Sequence, residues 1–270
     1  MHLCVQTAGR PEDPAILLIH GASASMIGWE EELCERLASR GRFVVRYDQR
    51  DTGRSTTTQD GRPAYDMRDL AHDAIGILDA LGIDRAHVVG RSMSGGTALI
   101  LAVDHPERVA SVTFMSTTTG DDDLPGPTAA FMEAVGAPEP PVADRAAWID
   151  WVVAVIRAYN GESTLFDEAH VRRHVEIDLE RALDPSAGAN HFAIGTPGPV
   201  GGGFGDVRVP TLVVHGEIDP VFPLAHGVAL RDAVPGARLV VLEGAGHELP
   251  PARWDEFVSA LTDHTAGTTP

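Results

Sequence analysis

The sequence predicts an α/β domain built on a mostly parallel central sheet flanked by helices. Three observations carry this. Short apolar, β-rich runs alternate with longer amphipathic segments, the pattern of strands joined by helical crossovers. The 270 residues, 43% of them hydrophobic, suffice for one large core, with room for a smaller insertion. The alternation breaks once, between about Gly120 and Asp206.

In chain order, apolar runs at His2 to Gln6 and Ala15 to His20 read as the first two strands, and Glu30 to Arg40 as the first helix. The strand Phe43 to Asp48 and the amphipathic helix Met67 to Leu81 follow. His87 to Gly90 is a β run that passes through a sharp turn into the helix-favouring Ser92 to Asp104, and Val109 to Met115 is the next strand. After the break come the strand Thr211 to His215, the helix Leu224 to Val234, the strand Arg238 to Leu242 and the helix Pro251 to Thr262. The break opens on "GDDDLPGP", closes on "GTPGPVGGGFGD" and holds helical stretches at Ala146 to Tyr159 and Glu168 to Ala182. Turn-rich hinges on both sides mark an inserted, mainly helical unit, so residues 120–206 are expected as a cap and residues 1–119 with 207–270 as the core.

Charge narrows the partners. Thirty-nine acidic against 21 basic residues give a net charge of −18, which repels nucleic acid and anionic membrane surfaces within a Debye length. All the basic residues are Arg. Two cysteines, Cys4 and Cys34, are too few for a disulfide framework or a thiolate metal cage and are expected as reduced thiols. The N-terminal segment lacks a basic stretch followed by an apolar one, and no run approaches the roughly 20 apolar residues of a membrane span. A cytoplasmic protein acting on a small molecule is expected, with its oligomeric state left open.

The turn in "HVVGRSMSGGTAL" holds two serines. At a strand-turn-helix elbow the nucleophile occupies the apex, with small residues two before and two after it. Ser92 has Gly90 and Ser94 at those positions; Ser94 has Ser92 and Gly96. Because the β run ends at Gly90, an apex at Ser94 would leave three residues with no room in the turn. Ser92 is therefore the candidate nucleophile and Ser94 a small packing residue.

A hydroxyl needs a base to take its proton and an acid to orient that base. In "LEGAGHELP" a strand runs into a Gly-rich loop that presents His247, and in "LVVHGEIDPVFP" Asp219 follows another strand. The order Ser92, Asp219, His247, each just past a strand's C-terminal end, is that of an α/β sheet nucleophile, acid and base. Glu217 and Asp121 to Asp123 compete with Asp219 for the acid position, and the "DPVFP" context favours Asp219. An oxyanion needs two N–H donors; Met93 supplies one and Ala22, in "LLIHGAS", the other.

Together these residues resemble the α/β-hydrolase superfamily, over essentially the whole chain. "YDQRDTGRST" is similar to the loop after the fourth strand of that fold, where the resemblance implies that Asp48, Arg50 and Ser55 tie the loop down. "DRAHVVGRSM", "VPTLVVHGEIDP" and "GAGHELP" are most similar to the aclacinomycin methylesterase group of anthracycline biosynthesis. The resemblance implies a cofactor-independent serine hydrolase acting on a methyl ester of an aromatic polyketide. Lactonases, carbon–carbon bond hydrolases and cofactor-free perhydrolases or haloperoxidases share the triad, and a non-catalytic ligand receptor is a rival from another class. Ser94 departs from the usual Gly of the elbow.

Phe131, Met132, Trp148, Trp151, Tyr159 and Phe166 are candidates to line a pocket above Ser92 or to form the insertion's own core. His20 is expected to buttress the oxyanion loop, and Arg91 to pack or pair locally. His170 and His174, four residues apart on a helix, have a metal-ligand spacing; lacking an evident third ligand in the sequence, they are expected on a solvated face, with no metal site.

Overall fold

A computed structural model describes residues 1–58 and 61–266 of the chain. The strands are β1 (Val5–Ala8), β2 (Ala15–Ile19), β3 (Phe43–Tyr47), β4 (Ala86–Arg91), β5 (Val109–Met115), β6 (Thr211–Gly216) and β7 (Arg238–Leu242). The helices are α1 (Glu31–Ser39), α2 (Met67–Ala80), α3 (Ser94–Asp104), α4 (Ala129–Val135), α5 (Arg145–Asn160), α6 (Glu168–Arg181), α7 (Ala225–Ala233) and α8 (Trp254–Ala266). The strands form one sheet in the order β1-β3-β2-β4-β5-β6-β7. Every neighbouring pair is parallel except β1 with β3.

The central strands β2, β4, β5 and β6 are buried along their whole length, which is why they read as continuous apolar runs rather than alternating ones. Their side chains divide by twos. Leu17, Ile19, Val88, Val112, Phe114 and Val213 join Ala71, Leu78, Ala98, Leu101 and Leu230 from α2, α3 and α7. On the other face Ile16, Leu18, Val89, Met115, Leu212 and Val214 join Leu33, Leu37, Phe257 and Leu261 from α1 and α8. Each of the larger of these side chains contributes about 1.5–3 kcal/mol by leaving water, so the two faces hold the sheet's C-terminal edge in a fixed place.

Several boundaries differ from the sequence expectation. The first strand is Val5–Ala8, paired with Tyr47 through Val44, rather than His2 to Gln6. The backbone of His2 and Cys4 bonds instead to the loop after β3, through Thr56, Ser55 and Asp48. The helix expected from Ser92 starts at Ser94, because Ser92 and Met93 form the turn. Pro251–Arg253 is a separate 3₁₀ turn, and α8 runs on to Ala266. Between β5 and β6, α4 was not legible as a helix; it spans seven residues and is capped by Thr128, whose hydroxyl accepts from the Phe131 N–H. Helices α5 and α6 pack through Ile149, Val153 and Val175.

Helix α6 is tied to the sheet side by charge. The Arg181 guanidinium donates to both oxygens of Asp48, at 2.9 and 2.7 Å. Asp48 is fully buried just after β3 and also accepts from the N–H groups of Met26 and Arg54. Arg50 pairs in the same forked way with Asp73 of α2. Cys4 and Cys34 are free thiols, and among the described residues no helix is long and apolar enough to cross a membrane.

His87 lies within β4, buried, its Nδ1 2.8 Å from the Ser111 hydroxyl. Burial, with Arg42 nearby, pushes its pKa down to about 4. The unfolded chain binds a proton here at about pH 6.5, so this contribution to stability is full above that pH and is lost as pH falls toward 4. Denaturant unfolding of wild type and His87→Gln should show a drop in stability between pH 6 and 4.5 that is smaller in the variant by about 2 kcal/mol. Equal drops would place the acid sensitivity elsewhere.

Candidate active site

The elbow is built by β4 running straight into α3. Ser92 sits between them with φ +51°, a left-handed backbone that costs a residue with a side chain about 1–3 kcal/mol. Its N–H donates to the Met115 carbonyl at the end of β5 and its carbonyl accepts from the Gly95 N–H. The turn is possible because Gly90 has no side chain: a Cβ there would lie 2.3 Å from the Ser94 carbonyl oxygen and 2.6 Å from the Ala98 Cβ. Ser94 opens α3, fully buried, and its hydroxyl donates to the His20 carbonyl at 2.5 Å.

The structure brings Ser92, His247 and Asp219 together. His247 Nε2 lies 3.0 Å from Ser92 Oγ, and its Nδ1 lies 2.8 Å from Asp219 Oδ2. Asp219 follows β6 and His247 follows β7, each in the loop leaving the same sheet edge as the elbow. The second oxygen of Asp219 accepts from the N–H groups of Val221 and Phe222, at 2.8 and 2.9 Å. Burial opposes ionisation of Asp219, but the charge and hydrogen bond of His247, with His215 and the Phe222 N–H, outweigh it and hold its pKa below the usual carboxylate value. An ionised Asp219 fixes the tautomer that carries its proton on Nδ1 and turns a lone pair on Nε2 toward Ser92.

Two of the competing carboxylates have other partners, and Asp122 and Asp123 are exposed. Glu217 accepts from the Gly244 N–H, and Asp121 accepts from the Thr119 hydroxyl.

Above Ser92 the β2–α1 connection folds back closely, since a Cβ on Gly21 would stand 3.0 Å from the Ser92 Cβ. Ser23 takes φ +61° and is held by His191 and the Gly188 carbonyl. Among the described residues, neither the Ala22 nor the Met93 N–H donates to a protein acceptor.

A charged group braces the elbow from below. Arg91, buried at the end of β4, donates to the His247 carbonyl at 3.0 Å, pairs with Glu248 at 2.6 Å and approaches His20 Nε2 at 3.1 Å. Burial, then Arg91, pushes the His20 pKa down to about 3, so the ring is neutral. Its Nδ1 accepts from the Gly21 N–H at 2.8 Å, and its edge meets Trp29. Arg91 thus pairs locally, as expected, and the His20 ring is packed within the β2–α1 connection.

Of the candidate pocket residues, Tyr159 lies against His247, ring centroids 5.3 Å apart, and Phe131 lies edge-on to Tyr159 at 4.9 Å. The Tyr159 carbonyl also accepts from the His247 N–H. Trp148 and Trp151 stack obliquely on each other, and neither makes a ring contact with Ser92, Asp219 or His247. Met132 is exposed, and Phe166 packs beneath the Arg157 guanidinium and among the α5–α6 residues. Phe222, not singled out from the sequence, faces His247 at 5.7 Å; its place in "DPVFP", three residues after Asp219, was the available signal.

His170 and His174 do not simply face solvent but are part-buried. Both meet the carboxylate of Glu30, 2.8 and 3.0 Å away and far off in the sequence.

The model of the alpha/beta hydrolase fold matches residues 14–140, and that of the TAP-like proteins matches residues 197–261. The chain is 34% identical to rhodomycin D methylesterase DauP of Streptomyces sp. (strain C5), over 97% of this chain and 94% of that one. It is 29% identical to a 2-hydroxymuconate semialdehyde hydrolase of Pseudomonas putida, over 86% of this chain and 79% of the other. An enol-lactonase structure from Burkholderia xenovorans LB400 superposes with a TM-score of 0.76 at 25% identity, covering 97% of this chain and 95% of the other. With the parallel sheet, the elbow between β4 and α3, and matched length on both sides, this chain belongs to the α/β-hydrolase family.

Proposed function

We propose that this protein is a serine ester hydrolase whose nucleophile, base and acid are Ser92, His247 and Asp219. The observation that carries the reading is the unbroken relay from Ser92 Oγ through His247 to Asp219, at 3.0 and 2.8 Å. His247 Nε2 takes the Ser92 proton as Oγ attacks the ester carbonyl, and the oxyanion accepts from the Ala22 and Met93 N–H groups. His247 then gives that proton to the leaving alkoxide, and the alcohol departs from an acyl-serine. A water molecule, deprotonated by the same imidazole, attacks the acyl carbon; the acid leaves and Ser92 regains its proton. No step needs a cofactor.

The substrate in this reading is a methyl ester on an aromatic polyketide. Two things support it: the likeness to rhodomycin D methylesterase over nearly the full length of both chains, and the aromatic wall of Tyr159, Phe222 and Phe131 beside the base. Residues 120–206 act as the cap that supplies Phe131 and Tyr159 and excludes water. The likeness to the semialdehyde hydrolase and the enol-lactonase makes carbon–carbon and lactone cleavage the second reading, with the same serine.

Labelling with a fluorophosphonate followed by peptide mapping should modify Ser92. Ser92→Ala should lose both labelling and at least about 10⁴-fold of kcat on methyl esters, while Ser94→Gly should stay within about tenfold. Comparable losses in the two variants would overturn the assignment of the nucleophile. A faster turnover of vinylogous diketones or enol lactones than of aromatic methyl esters would favour the second reading.

Phe222→Ala should raise KM for an aromatic methyl ester about tenfold, the worth of about 1–3 kcal/mol of apolar contact, and leave KM for methyl butyrate nearly unchanged. Equal effects on both substrates would remove Phe222 from the acyl pocket.

A further inference from the structure

We propose that Glu30, His170 and His174 bind one divalent transition-metal ion of the zinc class, which clasps α6 to the β2–α1 connection. The two histidines stand one turn apart on α6 and turn Nε2 toward the same carboxylate, His170 to Oε1 at 2.8 Å and His174 to Oε2 at 3.0 Å. One donor atom from each of the three residues lies within 4.8 Å of the other two. An ion with bonds of about 2.0–2.2 Å to nitrogen and oxygen needs donors about 3.2–3.5 Å apart, so small side-chain adjustments admit it.

The donor set selects the ion. Two imidazoles and one carboxylate form a three-ligand zinc set with a fourth position left to water. Magnesium and calcium require six or more oxygens and gain little from imidazole. The three side chains are part-buried, with 22, 31 and 17% of His170, His174 and Glu30 exposed. This leaves a path from solvent on a chain whose net charge of −18 draws cations. The indole of Trp254 closes one side against the His170 ring.

Two further features set this cluster apart from an ordinary ion pair. Glu30 occupies the N-cap position of α1 but makes no capping bond; Asp, Asn, Ser or Thr would serve the helix better there, and the longer side chain reaches α6 instead. Among the described residues Glu30 pairs with these two imidazoles and with no arginine. On His174, Nδ1 has no hydrogen-bond partner, so nothing fixes the proton on Nε2, and that nitrogen can present its lone pair to a metal.

The test is equilibrium dialysis of chelator-treated, full-length protein against zinc chloride, with metal content measured directly. Wild type should bind one Zn²⁺ per chain at micromolar or lower concentration, and its thermal midpoint should rise by several degrees in excess zinc. His174→Gln and Glu30→Gln should each weaken that binding at least tenfold and lose the thermal rise. Neither residue belongs to the proposed catalytic machinery, so both variants should react with the fluorophosphonate at the wild-type rate, which verifies their fold. Wild type failing to bind, or binding no more tightly than the two variants, would overturn the site; the second result would assign the zinc to other histidines.

Discussion

Everything at the sheet's C-terminal edge depends on the backbone of Ser92 being held left-handed. A serine does not choose φ +51° on its own. The conformation survives because β4 is buried on both faces before it and α3 is packed after it, so the chain must reverse within two residues. Gly90 gives the helix room to come down, and the Ser92 N–H finds its acceptor at the end of β5. The strain is small beside the apolar burial on either side, each core side chain contributing about as much as the turn costs. The result is a hydroxyl raised clear of the sheet at a point fixed by the core.

The loops that meet this hydroxyl are tied to one another as well as to the sheet. Ser94 holds the His20 carbonyl, His20 holds the Gly21 N–H, and Arg91 holds the His247 carbonyl. A serine in place of glycine at the elbow thus adds a bond from α3 to the β2–α1 connection. Arg91 is buried, yet its charge is answered by Glu248, directly after His247. His247 and the strand that leads into Ser92 are therefore tied by one ion pair, and removing Glu248 would leave the Arg91 guanidinium buried without its counter-charge.

Most of the parallel sheet and the grouping of Ser92, Asp219 and His247 were legible because the information is local. Each of the three residues lies within five positions of the end of an apolar strand, and a parallel sheet brings all such positions to one edge. The register argument for Ser92 needed only the end of one strand. Failures came where the partner is distant. His2 to Gln6 looks as strand-like as Val5 to Ala8 until the loop after β3 claims its backbone. Helix α4 is seven residues long and has too few turns to show a period. His170 and His174 looked solvated because Glu30 is 140 positions away, and the Arg181–Asp48 fork spans 133. Ion pairs between remote segments leave no mark in a single sequence, since either partner alone reads as a surface charge.

Helix α6 meets the β2–α1 connection and the loop after β3 at four successive turns: His170 and His174 on Glu30, Asp178 on the Ser25 hydroxyl, and Arg181 on Asp48. Lifting the helix would strip a guanidinium from a carboxylate with no access to water, at a cost of several kcal/mol. It would also free the stretch that carries the Ala22 donor. Among the described residues no ion pair ties α4 down in this way, so of these helices α6 is the jamb, fixed to the sheet side by charge.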